Sequence, residues 1–207
     1  MVTAEIEQKP RRAQKLPAEE RRRQILDAAI PVFARRGFAG AGTAEIAEAA
    51  GVGEPTIYRY FSGKMELYEA TIDYSTDVVM SAWERIAGEE DDPLNALLRL
   101  GQWYHQSMLE RPDILRLRVR SVMEAEDLGR LEWARDTQRR FRDFIHSLFV
   151  RARENGRLSP GTDPETMTLL FMAVGALLDQ MNLLGTSDEV QPRDLVALGN
   201  MLFEGRL

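Results

Sequence analysis

The chain has 207 residues, 44% hydrophobic and 29% charged, a composition of ordinary globular material rather than of disordered or fibrous chains. It has no cysteine and two histidines, His105 and His146, which excludes disulfides, a cysteine nucleophile and thiolate or multi-histidine metal sites. The net charge of −6 is unevenly spread: residues 1–67 carry 11 Lys+Arg against 9 Asp+Glu, and residues 68–207 carry 16 against 24, as in a nucleic-acid-facing head on an acidic body.

Met1 to Pro17 is polar and basic, with no acid interrupting Arg11, Arg12 and Lys15 and no apolar signal core. The expectation is a flexible arm over 1–17 that adds affinity for nucleic acid rather than sequence choice. The longest apolar run, Leu169 to Leu178, is ten residues and too short to span a bilayer, so no membrane segment and a cytoplasmic setting are expected.

Ala18 to Arg36 carries Ile25, Leu26, Ala29, Val32 and Phe33 at helical spacing. Gly37 stands where a left-handed C-terminal cap is needed, and Pro31 predicts a bend in the last turns. Thr43 is the expected N-cap of a short helix, Ala44 to Ala50, with Glu45 near its positive end. Gly51 then opens a three-residue turn, and a second short helix starts at Glu54-Pro55, where proline's missing N–H costs nothing. Ile46, Ala47, Ala50, Val52 and Ile57 are suited to packing two crossing helices. Such a pair is either a buried hairpin or a helix-turn-helix that places its second helix in a DNA major groove. Thr56, Tyr58, Arg59, Tyr60 and Lys64 favour the second reading, because a buried hairpin would have to satisfy all of them internally.

Beyond Phe61 the periodicity predicts long amphipathic helices. Tyr68, Ile72, Ser75, Val79, Ala82, Trp83 and Ile86 share one face of a helix ending near Ala87. The acidic run Glu89 to Asp92, either a hard-cation site or a solvated loop, is read as the loop before a new start at Pro93. Leu94, Leu97, Leu98, Gly101, Tyr104, His105 and Met108 mark a helix ending near Arg111-Pro112. Leu115 to Arg120 alternates with period two, yet a lone strand has no partner for its backbone, so helix is expected there. A long helix follows from Leu131 to before Gly156, then Asp163 to Leu184 and Asp194 to Phe203. The chain is all-α, divided into a head, 18–67, and a larger helical body, 68–207.

In the body, Phe171, Met172, Val174, Leu177 and Leu178 lie in a run apolar on every face, which must be covered on both sides. Trp83, Trp103, Tyr104, His105, Met108, Met123, Trp133, Phe141 and Phe144 are candidate lining of a ligand pocket, with plain core packing as the alternative. For His105 that alternative includes an internal hydrogen bond. Arg116 and Arg120 share a helical face that either selects an anionic ligand or is merely solvated. No nucleophile–base pair is evident, so no enzyme, cofactor or metal is expected, although acid pairs distant in sequence leave an enzyme with an unrecognised site as an alternative beside a helical adaptor.

Phe33-Ala-Arg-Arg-Gly37-Phe38, Thr43 to Val52, and Thr56-Ile-Tyr-Arg-Tyr-Phe-Ser-Gly-Lys64 together resemble the signature of the TetR family of bacterial transcriptional regulators, over about residues 20 to 67. The resemblance implies a three-helix head that binds double-stranded operator DNA and a body that holds a small-molecule inducer and a homodimer interface. It implies that Thr43 and Tyr60 contact phosphate, Tyr58 and Arg59 sit against groove or backbone, and Lys64 pins a phosphate, while Glu54, Pro55 and Thr56 face the bases. Two positions depart from the family. Arg59 stands where histidine is frequent and either reads guanine or strengthens phosphate binding; Glu54 accepts from a cytosine amino group, repels phosphate, or is a solvated helix-start acid. The last two helices would build the two-fold interface through Phe171, Val174, Leu178, Met181, Leu195, Leu198 and Leu202. The function implied is that of a repressor on a pseudo-palindromic operator, released by an apolar or amphipathic inducer.

Overall fold

The computed structural model describes residues 16–186 together with 189–190, 193–194 and 197. The basic cluster Arg11, Arg12 and Lys15, and Leu195, Leu198 and Leu202 of the last expected helix, lie outside the described residues. Among those described there are eight helices and no strand: α1 (Ala18–Gly40), α2 (Thr43–Ala49), α3 (Glu54–Tyr60), α4 (Lys64–Glu89), α5 (Pro93–Glu110), α6 (Pro112–Glu124), α7 (Leu131–Glu154) and α8 (Pro164–Leu184).

In α1 the periodic residues Ile25, Leu26, Ala29 and Phe33 are buried as expected. Helical dihedrals continue through Pro31 and fail only at Gly37 (φ 67°, ψ 179°). One missing hydrogen bond does not break a helix whose neighbours Ile30 and Val32 are both locked in the core. Gly37 has the positive φ that glycine allows, but its ψ is extended rather than left-handed helical, so it redirects the chain instead of capping it.

The short helices pack on α1 through Ile46, Ala47, Ile57 and Phe61, which share one core with Ile25, Leu26 and Phe33. Gly51 (φ 63°) makes the turn between them, and the Val52 N–H donates to Ala47 O at 2.9 Å. Thr43 is not the N-cap: Gly42 is, and Thr43 is the first helical residue. Its hydroxyl is therefore free of backbone duty and reaches across to α3.

α4 starts in the head, where Tyr68 packs edge-on against Phe33 (centroids 4.9 Å apart), and runs on to Trp83 and Ile86 in the body. The acidic run at its end is a capped and neutralised loop. Asp92 accepts from the Leu94 N–H at 3.0 Å and from Arg157 at 2.5 Å, while Arg99 holds Glu89 and Glu90. No metal-holding acid cluster occurs among the described residues. α6 is a helix despite its alternating sequence, burying Ile114, Leu117 and Ser121 on one face. α8 buries Met167, Thr168 and Leu178, yet Leu169 (57% exposed), Leu177 (56%) and Leu184 (70%) form an uncovered stripe. With 21 residues it is also long and apolar enough to cross a membrane by length and composition alone, which the ten-residue apolar run does not suggest.

Candidate functional site

The outer face of α3 carries Pro55, Tyr58 and Arg59 exposed, with Glu54, Thr56 and Tyr60 half-buried beside them. Ile57 is fixed in the core at 1% exposure, so it orients the whole helix and turns the neighbouring side chains outward. Thr43 at the start of α2 donates to Glu54 Oε1 at 2.5 Å, and its oxygen lies 3.1 Å from the Tyr58 hydroxyl. Three of the expected DNA-facing residues thus form one hydrogen-bonded group, in which the Glu54 carboxylate orients Thr43 rather than standing solvated.

Lys64, at the first turn of α4, donates from Nζ to Ala39 O at 3.1 Å and lies 4.9 Å from the Phe38 ring centroid. Gln24 Nε2 donates to Ala50 O at 2.8 Å, pinning the end of α2 to α1. These contacts join the Thr43 hydroxyl to α3 and the Lys64 ammonium to the end of α1.

Head and body meet at Glu124, the last residue of α6. Its Oε2 accepts from the Phe38 N–H at 3.1 Å and from the Tyr68 hydroxyl at 2.7 Å, and its carboxylate lies 3.7 Å from Arg120. Burial and the Glu124 hydrogen bond raise the Tyr68 hydroxyl pKa far above the ordinary range, so Tyr68 stays a donor. A single carboxylate therefore bridges α1, α4 and α6.

The body contains a cavity of about 240 Å³ between α4, α5, α6, α7 and α8. Trp83 forms its aromatic wall with Tyr104 and Phe141, at centroid distances of 6.0 and 5.4 Å. Arg118 lies 4.4 Å from the Phe141 ring centroid and donates to the Tyr104 hydroxyl at 2.5 Å, and that hydroxyl donates to Asp179 Oδ2 at 3.1 Å. Burial pushes the Tyr104 hydroxyl up to about 12 and raises the Asp179 carboxyl against the opposing pull of Arg118.

Of the residues expected to line a pocket, Trp83, Tyr104 and Phe141 do so. Phe144 stacks behind Trp83 at 6.0 Å, Trp103 packs against the core, and Trp133 donates to Asp73 at 3.2 Å. Met123 is 76% exposed, and Met108 and His105 are buried away from the lining. His105 Nδ1 makes no internal hydrogen bond among the described residues, and burial lowers its pKa. Phe171, Val174 and Leu178, expected on a two-fold face, line the cavity, and Met181 is half-buried. Arg116 and Arg120 pair with Asp113 and Glu124. The arginine at the cavity is Arg118, and neither it nor Asp179 stood out in the sequence. A charged residue inside an otherwise apolar helical stripe, as Asp179 is, was the available signal.

Residues 25–71 match the sequence profile of the bacterial regulatory proteins of the tetR family. The HTH-type transcriptional activator FasR of Mycolicibacterium smegmatis is 48% identical over 71 residues, covering 34% of this chain and 32% of that protein. The HTH-type transcriptional regulator YvkB of Bacillus subtilis is 32% identical over 106 residues, covering 51% and 54%. The chain thus spans between about a third and a half of the length of these curated relatives. Among solved structures, the transcriptional regulator FadR from Bacillus subtilis in complex with stearoyl-CoA superposes with a TM-score of 0.67 at 20% identity, covering 88% of this chain and 95% of that one. That likeness establishes the fold alone. The helix-turn-helix over residues 25–71 thus matches that of the bacterial regulatory proteins of the tetR family.

Proposed function

We propose that this regulator acts as a cytoplasmic homodimeric repressor, binding a pseudo-palindromic operator through α3 and leaving it when a small apolar or amphipathic molecule enters the body cavity. The observation that carries the reading is α6. The middle of that 13-residue helix holds Arg118 at the cavity, and its last residue, Glu124, accepts hydrogen bonds from Phe38 of the head and Tyr68 of α4. A ligand that moves Arg118 thereby acts on the element to which the head is hydrogen-bonded. Phosphate contacts from Thr43, Tyr60 and Lys64, groove or backbone contacts from Tyr58 and Arg59, and base contacts from Glu54, Pro55 and Thr56 remain the assignment for the head. Residues 18–67 serve as the DNA-binding head and 68–207 as the ligand and dimer body, with α4 continuous across the division.

The homodimer reading is supported by the apolar stripe of α8, now assigned to Leu169, Leu170, Ala173, Leu177 and Leu184. The test is a mobility shift on a duplex from this gene's own upstream region beside a scrambled duplex. Selective retardation supports the operator reading; equal retardation of both, or of neither, overturns it. A promoter reporter in cells with and without the protein reads the sign. Lower expression without the protein overturns repression, and the relative FasR is itself named an activator.

A further inference from the structure

The cavity lining contains two charged side chains, Arg118 and Asp179, among walls that are otherwise apolar or aromatic apart from Gln102 and Gln138. They are joined through Tyr104, whose hydroxyl accepts from Arg118 at 2.5 Å and donates to Asp179 at 3.1 Å. This end of the cavity therefore carries one cation, one anion and a neutral bridge. Its hydrogen-bonding capacity is only partly used. Arg118 has five N–H donors; one serves Tyr104, and no carboxylate lies within ion-pair distance of it among the described residues, unlike Arg116 and Arg120 on the same helix. Among the described residues, the buried Asp179 Oδ1 has no partner, and neither has Nε1 of Trp83, a residue 7% exposed. A buried polar atom left in this state favours any ligand group that pairs with it.

Charge decides what kind of group. A carboxylate head would be attracted by Arg118 and repelled by Asp179, and an ammonium head the reverse, so either ion loses its hydration for little net attraction. An uncharged head with an acceptor for Arg118 and a donor for Asp179 gains both contacts and gives up less hydration. We propose that the cavity selects an uncharged amphiphile whose polar end bears both a hydrogen-bond acceptor and a donor, as a primary amide does, read by Arg118 and Asp179. This rests on the reading of the cavity as the effector site. The volume of about 240 Å³ limits the apolar part. It falls below the ~300–1,000 Å³ of sites for drug-sized ligands. A short chain or single ring fits within that volume.

The test is calorimetric titration of the full-length protein at neutral pH with octanamide, octanoate and octylammonium, which share one chain and differ in the head. Octanamide is expected to bind at least about tenfold more tightly than either ion. In Asp179→Asn the handicap of octanoate narrows, because the repelling charge is gone; in Arg118→Gln that of octylammonium narrows. A side chain with a purely structural role would weaken all three probes alike. Should a variant fail to fold, the three-probe comparison on the unaltered protein still decides. Either ion binding as tightly as the amide overturns the head-group assignment and leaves the cavity as a ligand site. Binding of none of the three overturns both. The expected preference with no effect of octanamide on operator retardation supports the ligand chemistry and overturns the effector reading.

Discussion

Lys64 is already engaged in the free protein, with its ammonium 3.1 Å from Ala39 O and beside the Phe38 ring. An ammonium has three donors, so a phosphate can be added without breaking that bond. Lys64→Ala is expected to weaken cognate and random duplexes alike and to lower the salt slope by about 0.9 per protomer. An unchanged slope in binding titrations at several salt concentrations would remove Lys64 from the phosphate contacts. Gly37 is the other residue with a sharp expectation. Its φ of 67° with ψ of 179° is a region essentially limited to glycine, and a Cβ there would press on Glu124 Oε1 and lie 2.6 Å from Arg120 Nη1. Gly37→Ala should cost about 1–3 kcal/mol of stability from backbone strain, more if the Glu124 bridge is displaced. Urea unfolding curves that superimpose for the two proteins would contradict this.

At the scale of elements, α8 has two different apolar sides. Phe171, Val174 and Leu178 line the cavity, whereas Leu169, Leu177 and Leu184 point outward. A second copy of the same stripe is a self-complementary partner, as two-fold interfaces require. Leu177→Glu places a charge in that stripe without touching the cavity lining. Sedimentation is expected to give a dimer for the parent and a monomer for the variant at micromolar concentration, with operator binding lost along with the dimer. A variant that stays dimeric would put the interface elsewhere. α6 has two duties: Arg118, at its middle, bonds to Tyr104 beside the cavity, and Glu124, its last residue, bonds to Phe38 and Tyr68. A rigid helix passes a tilt at Arg118 on to Glu124 without repacking between them.

For the whole molecule, the proposed switch is a question of coupling between two sites. A dimer reading two half-sites about one helical turn apart, roughly 34–36 Å, loses both contacts when its heads change separation by a few ångströms. The ligand can shift that equilibrium by no more than its preference for the DNA-incompetent shape. By linkage, saturating operator must weaken ligand binding by the factor with which the ligand weakens operator binding, typically about 5–150-fold. Octanamide titrated with and without operator measures it; equal affinities would mean that this occupant does not work the switch. The charge asymmetry belongs to this scale too. The basic excess lies in residues 1–17, 4 Lys+Arg against 2 Asp+Glu, while residues 18–67 balance; its attraction to DNA and the repulsion of the acidic body favour one orientation of approach.

Most helix boundaries were legible because they depend on neighbours in sequence. Pro55, Pro93, Pro112 and Pro164 each stand in the first turn of a helix, and Gly51 supplies the positive φ of the recognition turn. The helix-turn-helix was readable for the same reason: its turn, its packing residues and its outward side chains fall within about two dozen consecutive positions. The cavity and the joint were not. Periodicity assigns a residue to a stripe but does not say what covers the stripe, so Phe171 and Leu177 looked alike although one lines a cavity and the other faces outward. Arg116, Arg118 and Arg120 alternate identically in sequence, and only the packing of α6 against α5 and α7 turns Arg118 to Tyr104 and Phe141. Glu124 and Phe38 are 86 positions apart, and their hydrogen bond exists because α1 and α6 lie side by side. Local chemistry sets where helices start and turn; which side chains meet across helices follows from how their faces pack together.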